Sequence, residues 1–282
     1  MHVLFYGNCQ SQATKSVLNL DDNHVQYNII CHETELSKEE FDEILQKCDI
    51  IITQPISDNY RDKEYLSASY IVNNCKKNSH VIIFNSCYFN FYYFDLTYKN
   101  FNGQRLNKPI DYHYNEMINC YNNKQPKKYY LKNYVNNVNL KTKEELEKYA
   151  NASITELQNR YNEMVTKYTT GKNNIHCISI SEYVRKKYKN KLLFYSINHP
   201  TKYLFQFICK KIIKILKLKT DIRININYDV DPLAGIKCIL YKCIQKAVNF
   251  NIDKMKPLML NKKHNYSITE LYYNDYDTIG YK

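Results

Sequence analysis

The sequence predicts an α/β fold, a doubly wound and mostly parallel sheet with helices on both faces. Three observations carry that prediction. The apolar runs at Val3–Tyr6, "DIIITQP" (49–55) and "HVIIFNSCYF" (80–89) lack the in-out alternation of a half-solvated strand, so they read as strands buried on both faces. Stretches with helical spacing separate them. Each run also ends in a polar, turn-forming segment, "GNCQ", "TQPISDNYR" or "NSCYFN", and parallel sheets collect their sites at such carboxyl ends.

In chain order, the first strand stops at Gly7, and "SQATKSVLNL" (11–20) behind it is expected to be helical, with Ala13, Val17 and Leu20 on one side. "VQYNIICHE" (25–33) reads as a second strand. "SKEEFDEILQKC" (37–48) reads as a helix with Ser37 as N-cap and Glu40 completing a capping box. The strand at 49–55, a helix over "DKEYLSASYIVNNC" (62–75) and the strand at 80–89 follow. Beyond residue 100 the pattern loosens: "GQRLNKPIDYHYNEMI" is a loop entering a helix, and "LKTKEELEKYANASITELQNRYNEMVTKY" is a charged, peripheral helix. The core style returns at 175. "KLLFYSI" (191–197) reads as a strand, and Pro200 opens a long helix with its N-cap at or near His199. "DVDPLAG" (229–235) is a turn. With no internal repeat or low-complexity linker, one domain is expected: a core of 1–100 and 175–220, a helical insertion over about 101–174 and an extension over 221–282.

Composition limits the function classes. The 282 residues carry a net charge of +12, with 44% hydrophobic and 24% charged residues, the profile of a folded chain. The 29 Tyr and no Trp, beside abundant Lys and Asn, match AT-rich coding bias, so these counts do not argue function. The charge suits nucleic acid, an anionic membrane or a phosphorylated small molecule. No nucleic-acid motif accompanies it, and no specific nucleic-acid partner is expected. The ten cysteines contain no CxxC pair, which argues against a zinc site or a disulfide framework and for a reducing compartment. No signal peptide or membrane span is visible, so a cytoplasmic protein is expected, and no metal. The helix at 200–219, with Lys210, Lys211, Lys214 and Lys217 among Leu, Phe and Ile, is chiefly a packed amphipathic helix, though one suited to peripheral contact with an anionic membrane.

Cys9 is the first candidate for chemistry. Of the ten thiols it alone sits in a polar strand-to-helix turn, where a helix N-terminus favours thiolate and backbone N–H groups can hold an oxyanion; Cys87, in an aromatic run, is expected to be packed. His199 and His113 compete as general base. The first is placed on the same sheet edge as Cys9 if its strand is a parallel neighbour, and the second has Asp111 and Glu116 nearby to orient it. Each also has a plain structural reading, as a cap or a surface histidine. The backbone at Asn8–Gln10, with Gln54 and Asn85 assisting, could form an oxyanion hole. Asp58 and Arg61 lie in a loop after a buried strand, where arginine is a natural phosphate ligand, or where the two residues simply brace the loop.

Together "YGNCQ", "TQPISDNYR", "FNSCYFNFYYFDLTY", "DYH" and "NHPTKYLF", in this order and spacing, resemble the WcbI family of polysaccharide-biosynthesis acetyltransferases, from residue 1 to about 220. The resemblance implies an α/β fold, coenzyme A or acetyl-CoA as cosubstrate and a carbohydrate acceptor. It implies Cys9 as catalytic thiol, with His199 or His113 as its partner, and the Asp58–Arg61 loop as part of the cofactor site. The chain departs from the family at Phe94, where relatives carry Pro before the counterpart of Asp95. The layout is also similar to the SGNH hydrolases and to flavodoxin-like folds. Ser196 stands three residues before His199 where SGNH enzymes keep an aspartate, which leaves the triad to be completed from Asp111 or Asp95. The expected activity is acetyl-CoA-dependent O-acetyl transfer to a sugar; the alternatives are a carbohydrate esterase and a non-catalytic CoA- or glycan-binding protein.

Overall fold

The computed structural model describes residues 1–20, 23–170, 172, 174–217, 224–236, 238–248 and 262–281. The end of the expected 200–219 helix and much of the expected 221–282 extension lie outside them. The chain groups into two compact units. The first comprises 1–88, 154–186 and 199–234, and the second 89–153, 187–198 and 235–282.

The first unit opens with strand β1 (His2–Gly7), helix α1 (Cys9–Val17), strands β2 (Leu18–Leu20) and β3 (Val25–Ile30), helix α2 (Lys38–Lys47), strand β4 (Ile50–Thr53), helix α3 (Ala68–Asn74) and strand β5 (His80–Phe84). The predicted capping box is present: Ser37 Oγ accepts from the Glu40 N–H, and Glu40 accepts from the Ser37 N–H. The expected helix over 62–75 is broken. A 3₁₀ turn at Glu64–Leu66 precedes α3, whose N-cap is Ser67.

The second unit then adds short strands β6 (Leu96–Thr97), β7 (Asn100–Phe101), β8 (Gln104–Arg105) and β9 (His113–Tyr114), with helices α4 (Asn115–Asn122) and α5 (Lys127–Tyr130). Helix α6 (Lys143–Thr169) follows, its residues from 154 on belonging to the first unit, and then strand β10 (Ile175–Ile178), helices α7 (Ser181–Lys187) and α8 (Lys202–Lys217), strand β11 (Ile224–Ile226) and, in the second unit, helices α9 (Lys242–Ala247) and α10 (Lys262–Ile279).

All five strands of the main sheet are parallel, in the order β3-β1-β4-β5-β10. Numbered by their sequence within the sheet they run 2-1-3-4-5, the flavodoxin-like order whose switch point falls between the first and third strands. Alternate residues of each strand serve opposite faces. Leu4, Tyr6, Ile51, Ile83 and Phe41 form one wholly buried cluster, to which α6 adds Met164 and Tyr168. Helix α6 is therefore a core element along one face and not the peripheral helix its charge suggested. On the first unit's other helical layer, α1 and α8 meet where Cys209 Sγ lies 3.7 Å from the Thr14 carbonyl.

Three local expectations are corrected. Leu18–Leu20 leaves the helix and pairs antiparallel with Ile224–Ile226, because Leu18 adopts an extended conformation at the C-cap. Residues 191–197 form no strand of the sheet, whose edge is instead Ile175–Ile178; Phe194 packs in an aromatic cluster, 5.7 Å from the Phe89 ring. Helix α8 starts at Lys202, two or three residues after the expected cap, because the Lys202 N–H donates to Asp231 Oδ1 at 3.1 Å and Pro200 stays outside the helix.

The second unit is held by tyrosines. Tyr92 Oη lies 2.6 and 2.8 Å from the carbonyls of Tyr188 and Lys191, which share its one proton, and the Ile239 N–H donates to Tyr114 Oη at 2.6 Å. Each ring buries a large apolar body while its hydroxyl satisfies a backbone group that burial would otherwise strand.

Candidate functional site

The turn from β1 into α1 lies at the sheet's switch point and is built with little tolerance. Gly7 has φ +156°, and a Cβ there would stand 2.6 Å from Gln54 Oε1 and 3.0 Å from Ser11 Cβ. Only glycine fits such a close approach. Asn8 then caps α1, its Oδ1 accepting from the Gln10 N–H at 2.9 Å.

Gln54, at the carboxyl end of β4 and fully buried, ties this turn to its neighbours. Its Oε1 accepts from the Asn8 N–H at 3.0 Å, and its Nε2 donates to Gln10 Oε1 at 3.0 Å and toward Ser86 Oγ at 3.4 Å. Gln10 continues the chain to the end of β5: the Cys87 N–H donates to its Oε1 at 2.8 Å, and its Nε2 donates to the Cys87 carbonyl at 3.0 Å. Two of the three N–H groups expected to form an oxyanion hole, those of Asn8 and Gln10, thus serve side-chain acceptors within the scaffold. Asn85 likewise acts as a brace: its Nδ2 donates to the Leu157 carbonyl of α6 and its Oδ1 accepts from the Ile180 N–H before α7, both at 3.3 Å.

Cys9, half-buried, is the first residue of α1. Burial pushes its thiol above the usual value. The Cys9 and Gln10 N–H groups pull it down, while nearby Glu33 and Cys31 push it up. The helix N-terminus was expected to favour thiolate; here desolvation outweighs it, so the resting group is a thiol. Cys87 is buried and its thiol is held well above the ordinary range by that burial, with Cys9 adding to the effect.

A cleft of about 320 Å³ opens at the ends of β4 and β5, lined among others by Ser57, Asn85, Ser86, Arg160 and Lys167. Asp58 sits beside it, accepting from Lys167 Nζ and from Ser69 Oγ, each at 2.6 Å. Those two partners, Lys167 first, hold its carboxyl below the usual range. Arg61 has a left-handed backbone (φ 55°), and its guanidinium, half exposed, lies 3.6 Å from Glu35. Asp58 and Arg61 are therefore not a mutual pair; each binds a different partner.

The two histidines differ. His199 belongs to the first unit with Cys9 and is half-buried in the segment before α8. His113 belongs to the second unit and is fully buried. Its Nε2 lies 3.2 Å from the Leu106 carbonyl and its Nδ1 2.9 Å from Tyr276 Oη. A carbonyl only accepts, so Nε2 carries the proton and Nδ1 accepts from the tyrosine. Burial lowers its pKa against the Leu106 carbonyl and Asp111, so the ring is neutral with both nitrogens engaged. Asp111 itself lies 3.5 Å from Arg105 at the surface. Asp95, in the same unit, accepts from Tyr241 Oη at 2.6 Å and from the Glu116 N–H at the start of α4.

Sequence reasoning passed over Lys167 and Ser86. Ser86 carried a signal, directly after a strand end; Lys167 was one lysine among many on a charged helix. All ten cysteines are free, and no metal-binding cluster occurs among the described residues. Among them, too, no helix is long and apolar enough to cross a membrane.

Fold and site define a class: a doubly wound α/β protein with a thiol on a rigid turn at the topological switch point. The chain belongs to the WcbI family, the family described as polysaccharide biosynthesis enzyme WcbI, whose model matches residues 2–221. Among solved structures it is similar to one described as WcbI, a novel polysaccharide biosynthesis enzyme, in its native form without a disulfide bond between CoA and a cysteine. That similarity has a TM-score of 0.71 at 21% identity, over 89% of this chain and 80% of the other. No curated protein matches the sequence.

Proposed function

We propose that the protein is an acetyl-CoA-dependent O-acetyltransferase that modifies a sugar hydroxyl during polysaccharide biosynthesis. The observation that carries this reading is Cys9 itself, a half-buried thiol at the switch point of a parallel sheet, on a turn locked by Gln54 and Gln10. The family assignment supports it, as does the mention of CoA in the description of the similar structure.

Because burial keeps Cys9 protonated at neutral pH, its proton must leave before or during attack on a thioester carbonyl. His199 is the base in this reading; His113 is already committed at both ring nitrogens. The Cys9 sulfur bonds to the acetyl carbon, the CoA thiolate departs and takes up the proton, and acetyl-Cys9 remains. His199 then removes the proton of the acceptor hydroxyl as its oxygen attacks, and the Cys9 thiolate leaves. Exchange between two thioesters is nearly balanced in energy, so the covalent step needs no further driving force. The N–H of Cys9, which already lies against the thiol, is the oxyanion donor. Arg61 and Lys167 meet the CoA phosphates, and Asp58 acts through Lys167, which it positions.

The test is transfer of radiolabelled acetyl from acetyl-CoA to a panel of glycans by wild type, Cys9→Ala, His199→Ala and His113→Ala. Loss of transfer in Cys9→Ala and His199→Ala is expected. Undiminished transfer by Cys9→Ala would overturn the reading, and steady hydrolysis of an aryl acetate without CoA would replace it with an esterase.

A further inference from the structure

A cleft of about 1010 Å³ in the second unit has no part in the chemistry above. One wall is the face of α10 that carries Tyr266, Tyr273 and Asp277, spaced i, i+7 and i+11 so that they share one side of the helix, with Gly280 just beyond its end. The other is the turn from α4 into α5, with Lys124, Gln125, Lys127 and Lys128. The family match ends at residue 221, so the α10 wall lies beyond it.

The walls are fixed to each other. Lys127 Nζ lies 3.2 Å from Glu270, Tyr121 Oη donates to Asp277 Oδ1 at 2.7 Å, and Tyr273 Oη donates to the Gln125 carbonyl at 3.2 Å. Tyr121 and Tyr273 stack edge to face at 5.5 Å, which holds both rings rigid. Tyr266 stays 41% exposed beside them. Lys124 and Lys128 form no ion pair among the described residues. The cleft therefore combines preset aromatic rings, amide and carboxylate groups, and an excess of cationic charge.

We infer that this cleft binds an acidic oligosaccharide, one whose pyranose rings lie on tyrosine faces and whose carboxylates meet Lys124 and Lys128. Apolar C–H faces of sugars suit flat rings, and ring hydroxyls suit amides and Asp277. The carboxylates are what the unpaired lysines select. The volume stands at the top of the usual range for a small-ligand pocket, which runs to about 1,000 Å³, and accommodates more than one sugar ring. A single-stranded nucleic acid also offers rings and charge, and its tighter binding is one of the results that would overturn the inference. The inference stands apart from the acetyl transfer proposed above, since it concerns binding alone.

The test is calorimetric titration of the full chain with trigalacturonate, maltotriose and a uridine hexanucleotide, in 50 and 200 mM salt. Trigalacturonate should bind, at least tenfold tighter than maltotriose and more weakly at high salt. Tyr266→Ala and the Lys124→Ala/Lys128→Ala pair, all exposed positions, should each weaken it tenfold or more, while Cys9→Ala should bind like wild type. No binding of trigalacturonate, equal binding of maltotriose, tighter binding of the hexanucleotide, or wild-type affinity in the cleft variants would each overturn the inference. Loss of transfer in the acetylation assay would leave it untouched.

Discussion

Gln10 pairs with Cys87 as one strand pairs with another: its side-chain amide receives the Cys87 N–H at 2.8 Å and donates to the Cys87 carbonyl at 3.0 Å. The side chain thus replaces a backbone neighbour where the sheet has ended, and it fixes the Cys9 turn to the tip of β5. Removing it strands two buried backbone groups. Gln10→Ala should destabilise the protein by about 2–6 kcal/mol, about 1–3 kcal/mol for each of the two buried backbone groups left without a partner. Urea unfolding of the two proteins side by side measures this. A midpoint unchanged in the variant means that water replaces the amide without cost.

The same turn predicts the behaviour of Gly7. A methyl group there collides with Gln54 Oε1 at 2.6 Å, and Gln54 is held by Asn8, Gln10 and Ser86, so it cannot yield without breaking the set. Gly7→Ala should cost roughly 1–3 kcal/mol through overpacking and backbone strain. It should also raise the rate at which Cys9 reacts with iodoacetamide, since the loosened turn exposes the sulfur. A variant with wild-type stability and alkylation rate contradicts the tight fit.

Much of this was legible in the chain. "GNCQ", "TQPISDNYR" and "NSCYFN" do stand at the carboxyl ends of β1, β4 and β5, because apolar runs ending in polar turns mark buried parallel strands. The roles of Gln54 and Gln10 were not legible. Both were read as helpers at an oxyanion, whereas their amides are spent on each other and on the turn, and only the fold decides which acceptor a flexible amide meets. Leu18–Leu20 kept a helical period and became a strand through pairing with Ile224–Ile226. Lys191–Ile197 had a strand's apolar composition and instead feeds an aromatic cluster through Phe194, a distinction that apolar runs alone do not make.

The Cys9 thiol titrates above an ordinary cysteine, through burial first, with Glu33 adding to it. The sign is therefore that the thiolate fraction at pH 7 is smaller than that of a free thiol and grows as pH rises. Alkylation of Cys9, followed by mass spectrometry of its peptide, should accelerate with a midpoint above about 8.5, the usual thiol value. The residual acetyl transfer of His199→Ala, which lacks the proposed base, should rise over the same interval. A midpoint below 8 would show that the helix N-terminus, and not desolvation, dominates the site.

Asp95 supplies a pH dependence of stability. Burial raises its carboxyl to about 7, against the opposing hydrogen bonds from Tyr241 and the Glu116 N–H. A folded-state value above the unfolded one means that the native protein holds the proton more tightly than the unfolded chain does. The resulting stability is complete below about pH 4 and is lost as pH climbs through 7. At about 1.4 kcal/mol for each unit of displacement, the loss from this group is on the order of a few kcal/mol between pH 4 and 8. Asp95→Asn keeps the shape and removes the ionisation, and Tyr241 can reverse its hydroxyl because Tyr130 Oη lies 2.7 Å away as an alternative partner. The variant should match wild type near pH 5 and exceed it in urea resistance near pH 8. A wild-type slope retained in Asp95→Asn would assign the dependence to another buried group.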